Sequence, residues 1–110
     1  MKSIIIKKFA VIAILLGVFG FSFNPAPDRI TVKGSDTMVI LAQKWAEVYM
    51  QSNPNTVIQV TGGGSGTGIS ALINGATDIA NSSRKMKSTE KEKLKARYNT
   101  LGIEVACAKD

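Results

Sequence analysis

The sequence predicts an α/β domain in which βαβ units form a mostly parallel sheet. Four strand-like segments alternate with three helix-like segments over residues 29–108. This alternation is typical of parallel strands joined by right-handed helical crossovers. In addition, polar loops follow the first three strand-like segments, and ligands of such sheets bind outside the carboxyl ends of the strands.

Hydrophobic periodicity marks the first strand and the first helix. Residues 29–33 alternate polar and apolar side chains, which is typical of a short strand. Residues 38–52 repeat apolar side chains at three- and four-residue steps, which predicts an amphipathic helix. Trp45 and Tyr49 lie on its apolar face, so we expect them to be core residues. The sequence Asn-Pro-Asn at 53–55 is expected to end the helix.

The remaining segments continue the alternation. We predict strands at residues 57–61, 77–81 and 103–108, and helices at residues 68–74 and 90–99. Gly75 and Gly102 are placed to end these helices, and Thr89 with Glu92 forms a capping-box pattern at the start of the second. Cys107 lies in the apolar last strand and is expected to be a small core residue.

A glycine-rich loop, Gly62 to Gly68, stands between the second strand and the second helix. Such a loop lets the backbone approach an anion at the start of a helix, where free N–H groups attract negative charge. It is not a phosphate-binding P-loop, because Ile69 stands where that motif needs Lys. It also lacks the dinucleotide fingerprint, because Thr67 stands where the third Gly is required. The loop therefore favours a small anion, with a flexible surface turn as the alternative.

Three loops with hydroxyl side chains are expected to meet at one edge of the sheet. They are Ser35-Asp36-Thr37, the glycine loop, and Ser82-Ser83-Arg84. Each precedes a helix, and an Arg84 guanidinium can pair two anion oxygens at once. Asp36 would repel a fully ionised ligand, so it either caps its own helix or accepts a hydrogen bond from a protonated oxyanion. Phosphate carries such a proton at neutral pH and sulfate does not, so a fixed carboxylate would penalise sulfate.

The N-terminal residues have the pattern of a secretory signal peptide. Lys2, Lys7 and Lys8 precede an uncharged apolar run of 13 residues, Phe9 to Phe21. We predict a signal peptide over residues 1–26, with an uncleaved anchor as the alternative, and therefore a periplasmic or extracytoplasmic location. A lipid-modified N-terminus is not supported, because no Cys follows the apolar run.

Charge and cysteine content exclude several classes of function. From Asp28 onward, 11 Lys and Arg face 8 Asp and Glu, so the net charge falls from +6 to +3. Nucleic-acid binding thereby loses most of its support. With no His and one Cys, the sequence cannot form an internal disulfide, a Cys–His dyad or a His/Cys metal site. We therefore predict no cofactor and no metal.

Several motifs, in their order and spacing, resemble the N-terminal part of periplasmic phosphate-binding proteins, the soluble receptors of the high-affinity phosphate ABC transporter. The motifs are Gly34-Ser35-Asp36-Thr37-Met38, Trp45-Ala46-Glu47, residues 61–68, and the segment from Thr77 to Arg84. The resemblance implies a periplasmic-binding-protein-like lobe with three α/β/α layers, an incomplete first lobe of a two-lobed receptor. Residues 27–110 would be the N-terminal part of its phosphate-binding domain. It also implies a non-enzymatic protein, with inorganic phosphate and the inner-membrane permease subunits as partners.

The resemblance also implies which residues contact phosphate, by matching position. These residues are Ser35, Asp36, Thr37, Ser65, Gly66, Ser83 and Arg84. The chain departs from the family pattern at Ser83, where some members place a proton-accepting aspartate. Two alternatives stay open: a receptor for another tetrahedral oxyanion, such as sulfate or molybdate, and an exported phosphate-handling enzyme that uses Asp36 as nucleophile or base.

Overall fold

The structure, a computed structural model, describes residue 20 and residues 22–107. Most of the predicted signal peptide, residues 1–19 and 21, lies outside the described residues, and so do residues 108–110. In chain order the elements are β1 (Asp28–Gly34), a 3-10 turn (Asp36–Met38), α1 (Val39–Ser52), β2 (Thr56–Thr61), α2 (Ser65–Ile73), β3 (Ile79–Asn81) and α3 (Ser88–Tyr98). Within residues 22–107, every helix is too short or too polar to cross a membrane.

The strands form a parallel sheet in the order β2-β1-β3, as the alternation predicted. β1 is the central strand: Ile30 pairs with Ile58 of β2, and Val32 pairs with Ile79 of β3. The chain therefore moves from the centre to one edge through α1, and then past β1 to the other edge through α2.

These two crossovers run in opposite directions, so right-handed connections place α1 and α2 on opposite faces of the sheet. The side chains agree, because Ile30 and Val32 face α1 while Gly68 of α2 lies against the backbone of Lys33 on the other side. α3 packs on α2. The result is the predicted three-layer α/β/α arrangement.

Small and branched apolar side chains form the core on both sides of the sheet. The buried apolar residues are Val32, Ala42, Ala46, Ile69, Ala71 and Leu94. Ile69 is the most deeply buried of these, with 2% of its surface exposed. Burial of such side chains is the main force that holds α1 and α2 against the sheet.

The prediction that Trp45 and Tyr49 are core residues is wrong: they are 44% and 49% exposed. Together with Ile58 and Ile79 they line an apolar groove of 440 Å³ between α1 and the sheet. β3 has only three residues, so the sheet is short on that side and leaves part of the apolar face of α1 uncovered.

Residues 101–107 do not form the predicted fourth strand, and they are exposed. Ile103 and Val105 are 92% and 74% exposed, and Cys107 is exposed as well, so its predicted place in the core is also wrong. The segment is held instead by Glu104, whose carboxylate accepts the Met86 N–H at 2.7 Å and pairs with a lysine of α3 at 3.3 Å.

Two helix starts also differ from the predictions. α2 begins at Ser65 rather than at residue 68, because the Gly68 N–H already donates to the Gly64 carbonyl at 3.0 Å. α3 begins at Ser88, and the Thr89–Glu92 capping box is wrong. Instead, Glu90 accepts the Lys87 N–H at 2.8 Å and so satisfies the start of the helix.

Candidate functional site

The three polar loops meet at the edge of the sheet where its parallel strands end. Hydrogen bonds join the loop ends to each other: the Gly64 N–H donates to the Gly34 carbonyl at 2.9 Å, and the Ser35 N–H donates to the Asn81 carbonyl at 2.9 Å. These bonds place the starts of the 3-10 turn and of α2 next to each other. The residues of the site therefore come from the loops that follow β1, β2 and β3.

The first loop carries a pair of hydroxyl groups. Ser35 is buried, with 3% of its surface exposed, and its Oγ lies 2.9 Å from Thr37 Oγ1. The Ser35 carbonyl accepts the Met38 N–H at 3.2 Å, which closes the 3-10 turn. Thr37 is exposed, so its hydroxyl is accessible from the solvent side of the site.

The carboxylate of Asp36 reaches across to the glycine loop. Its Oδ1 accepts the Gly63 N–H at 2.8 Å. The 3-10 turn that contains Asp36 begins after Ser35 and has no side-chain cap. The alternative in which Asp36 caps its own helix is therefore wrong.

The non-helical part of the glycine loop ends in two residues with left-handed backbone. Gly63 has φ 121° and Gly64 has φ 104°, a region that side-chain-bearing residues rarely adopt. α2 starts directly after them, and the N–H groups of its first turn, from Ser65 to Thr67, have no partner within the helix. These amides lie at the positive end of the helix dipole, which favours a negative ligand.

Ser65 connects α2 to the third loop. Its Oγ accepts the Ser83 N–H at 3.0 Å and lies 3.2 Å from Ser83 Oγ. Ser82 orders the same loop, because its Oγ accepts the Arg84 N–H at 3.1 Å. The structure thus brings the predicted residues Ser65 and Ser83 into direct contact.

Arg84 is paired with a carboxylate that the sequence analysis did not single out. Its Nη2 donates to Glu90 Oε1 at 2.8 Å, and its Nη1 donates to Glu90 Oε2 at 3.0 Å and to the Lys85 carbonyl at 3.0 Å. A Cβ added to Gly66 would lie 3.8 Å from Nη2, so the guanidinium is next to the first turn of α2. The signal in the sequence is weak: Glu90 is merely the first acidic residue after Arg84.

The pair shifts both ionisation equilibria toward the charged forms. The hydrogen bonds from Arg84, with the Lys87 N–H adding to them, lower the pKa of Glu90 from 4.5 to about 2. The hydrogen bonds to Glu90 raise the pKa of Arg84. Arg84 is therefore a fixed cation whose charge is compensated locally.

Asp78 lies away from the site, at the amino end of β3. Its Oδ2 accepts hydrogen bonds from the backbone N–H and the Oγ1 of Thr31, at 2.8 and 3.0 Å. The backbone bond is the larger cause of the lowered pKa of this carboxyl group. Asp78 therefore joins β1 to the start of β3.

The arrangement offers mainly uncharged donors. Four hydroxyl side chains and the first-turn amides of α2 lie at one edge of the sheet, while Asp36 and Arg84 each have a partner within the protein. Such a set can bind a small oxyanion by hydrogen bonds. In residues 22–107, groups of three or more carboxylate or thiol side chains placed to hold a metal ion are absent.

Known proteins with similar sequences include phosphate-binding proteins from several bacteria. The chain is 38% identical over 77 residues to the phosphate-binding protein PstS of Pseudomonas aeruginosa, which covers 70% of this chain and 24% of that protein. It is 42% identical over 72 residues to PstS of Bacillus subtilis, covering 66% and 23%. The chain thus spans about a quarter of the length of these relatives.

Solved structures with similar folds include an ABC-type phosphate transport receptor from Vibrio cholerae. It has 40% identity and a TM-score of 0.55, over 57% of this chain and 25% of that one. A phosphate-binding protein of a phosphate ABC transporter from Streptococcus pneumoniae has 33% identity and a TM-score of 0.58, over 61% and 26%. The family model described as a PBP superfamily domain matches residues 22–108. With its parallel α/β sheet and with that match over most of its length, the chain belongs to the PBP superfamily.

Proposed function

We propose that this chain is part of a receptor that binds inorganic phosphate and delivers it to an ABC transporter permease. The observation that carries the proposal is the junction of three hydroxyl-bearing loops at the start of α2, joined by Ser65–Ser83 and Asp36–Gly63 hydrogen bonds. The names of the similar proteins, phosphate-binding proteins and phosphate transport receptors, support the same ligand. Those names also support a binding protein rather than an enzyme.

Each loop contributes donors that suit a tetrahedral oxyanion. The contacts we propose are the side chains of Ser35, Thr37, Ser65, Ser83 and Arg84, the backbone N–H of Gly66, and the carboxylate of Asp36. The hydroxyl and amide groups donate to phosphate oxygens without adding net charge. Arg84, held by Glu90, supplies directional N–H groups beside Gly66.

Asp36 is the group that we propose accepts a hydrogen bond from the proton of hydrogen phosphate. One carboxylate oxygen, Oδ1, accepts the Gly63 N–H, and the second remains for a ligand O–H. Ser83 stands where some family members have an aspartate, so Asp36 would supply a site carboxylate that, unlike Glu90, is not engaged with Arg84. This role predicts discrimination against sulfate, which has no proton to donate.

The location and the wider assembly follow from the same proposal. Residues 1–26 act as a signal peptide, and residues 27–110 are the N-terminal part of the phosphate-binding domain. The receptor then works in the periplasm and docks on permease subunits of the inner membrane. Because the match covers only about a quarter of the length of these relatives, further phosphate donors would come from the rest of that length.

Isothermal titration of the chain with phosphate, sulfate and molybdate tests the proposal. Ser65→Ala removes the hydroxyl that contacts both Ser83 and the ligand, and we expect phosphate affinity to fall about tenfold, the equivalent of roughly 1.4 kcal/mol. Ser70→Ala is the matched control, because Ser70 lies exposed on the same helix. No heat with phosphate would rule out phosphate binding by this chain, and equal affinity for sulfate would refute the role of Asp36 in selectivity.

A further inference from the structure

The hydrogen bond between Asp36 and Gly63 joins two loops that are 27 residues apart in the sequence. It connects the second residue after the end of β1 to the loop that precedes α2. At 2.8 Å, with a charged acceptor and a backbone donor, it belongs to the stronger class of hydrogen bonds. The contact therefore fixes the glycine loop relative to the first loop of the site.

The space for this contact exists because residue 62 is glycine. A Cβ added to Gly62 would collide with Asp36 Oδ1 and would lie 3.3 Å from Val39 Cγ2. Val39 is the first residue of α1 and closes the other side of this space, so the Asp36 carboxylate would have to move. Gly62 thus admits the carboxylate to the Gly63 amide.

The next amide along the loop has its own anchor. The Gly64 N–H donates to the Gly34 carbonyl at 2.9 Å, and the Gly64 carbonyl accepts the Gly68 N–H in the first turn of α2. Consecutive amides of the loop are therefore tied to the end of β1 and to the turn after it. These ties set the direction in which the free amides of α2 point.

We propose, on the basis of the phosphate-binding function above, that Asp36 is a positioning residue for the glycine loop, and that Gly62 is required for this role. Through Gly63, the carboxylate holds the backbone that leads into α2 and so orients the first-turn amides toward the ligand. This role is separate from any contact between Asp36 and the ligand itself. It requires an acceptor atom at this position, and the negative charge strengthens the bond without being essential to it.

Amide hydrogen exchange of the full chain, followed by NMR without ligand, tests the positioning role. In Asp36→Ala we expect the Gly63 amide to exchange at least about tenfold faster, because its acceptor is lost. The Gly64 amide keeps the Gly34 carbonyl as its acceptor, but it should also exchange faster because the loop that carries it is no longer held by Asp36. In Asp36→Asn the side-chain oxygen can still accept the bond, so exchange should stay within about threefold of the original chain. Glu47→Gln, an exposed charge removal on α1, is the control and should leave both amides unchanged.

Gly62→Ala gives an independent test that keeps the Asp36 charge. Its Cβ displaces the carboxylate, so both amides should exchange faster, as in Asp36→Ala. This variant also decides the matter if Asp36→Ala does not fold. Unchanged exchange at Gly63 in the two alanine variants would overturn the positioning role.

Phosphate titrations of the same variants separate this inference from the proposed function. If the original chain binds phosphate, both alanine variants should weaken binding about tenfold, and unchanged affinity would refute any effect of the loop on the ligand. If the original chain shows no phosphate binding, the proposed function fails, while the exchange data still confirm or refute the contact. Selective loss of sulfate discrimination in Asp36→Asn, with normal exchange, would show that Asp36 has both roles.

Discussion

The pair of Arg84 and Glu90 gives the fold a pH dependence that one substitution should remove. Glu90 accepts two hydrogen bonds from the guanidinium and one from the Lys87 N–H, at 2.8 to 3.0 Å. Glu90→Gln keeps the size of the side chain and removes its charge. We expect the variant to unfold more easily, because Arg84 loses its partner and α3 loses the negative group in its first turn.

The pKa of Glu90 sets a ceiling on the size of this effect. The lowering of this pKa from 4.5 to about 2 corresponds to roughly 3 kcal/mol, since a shift of one pKa unit is worth about 1.4 kcal/mol. The side chains of Arg84 and Glu90 are 34% and 16% exposed, so solvent screens part of the interaction. We therefore expect Glu90→Gln to lower the free energy of unfolding by about 1–2 kcal/mol at pH 7.

The sign of the pH dependence follows from the lowered pKa. The contribution of Glu90 is fully present above about pH 4.5, where the carboxyl group is ionised in both folded and unfolded chains. It is lost as the pH falls from 4.5 toward 2, because the folded chain must then be protonated at a site that favours the anion. The difference between the original chain and Glu90→Gln should shrink over the same interval.

Urea unfolding of both chains at pH 7, 4.5 and 2.5 measures this difference. Glu92→Gln is the matched control, since Glu92 is an exposed residue of the same helix, and it should change the free energy of unfolding by less than about 0.5 kcal/mol. A difference between the original chain and Glu90→Gln that stays constant from pH 7 to 2.5 would refute the argument. So would equal stabilities at pH 7.

Two further substitutions test how the layers are joined. Gly68→Ala places a Cβ on the Lys33 carbonyl, so thermal unfolding should show a free energy of unfolding lower by about 1–3 kcal/mol. Gly66→Ala should not be destabilised in this way, because its Cβ would make only an ordinary contact with Arg84 Nη2 at 3.8 Å, and equal midpoints for the two variants would contradict this packing. Asp78→Ala removes the acceptor of two Thr31 bonds, so its unfolding midpoint should fall at pH 7 and approach that of the original chain in acid, where the lowered pKa of Asp78 is passed. A midpoint that is unchanged at pH 7 would show that these bonds contribute nothing.

The meeting of the three polar loops at one edge of the sheet could be predicted from the sequence, because it depends on local patterns of strand and helix. Alternation of strand and helix indicated parallel pairing, and parallel pairing places the loops after β1, β2 and β3 at one edge. The apolar side of α1 was also visible from its period. Whether the sheet covers Trp45 and Tyr49 depends on how far β3 extends, and the hydrophobic period of α1 does not report that β3 has only three residues.

The contacts that order the site could not be predicted in the same way. Asp36 and Gly63 are 27 residues apart, and no local pattern links them. Glycine disfavours helix, so the sequence placed the start of α2 at residue 68, while the left-handed Gly64 lets the helix begin at Ser65. The apolar residues 103–108 suggested a strand, but the carboxylate of Glu104 holds the segment beside Met86 instead.

The half-exposed indole at the apolar groove makes the chain its own optical probe. Trp45 is the single tryptophan of the sequence, so its fluorescence reports the environment of one face of α1 alone. It stands six residues into α1, about 9 Å along the helix from Val39 and the loops at the strand ends. Any polypeptide that covers the groove should shift its emission to shorter wavelength, and a solvent quencher should lose access at the same time.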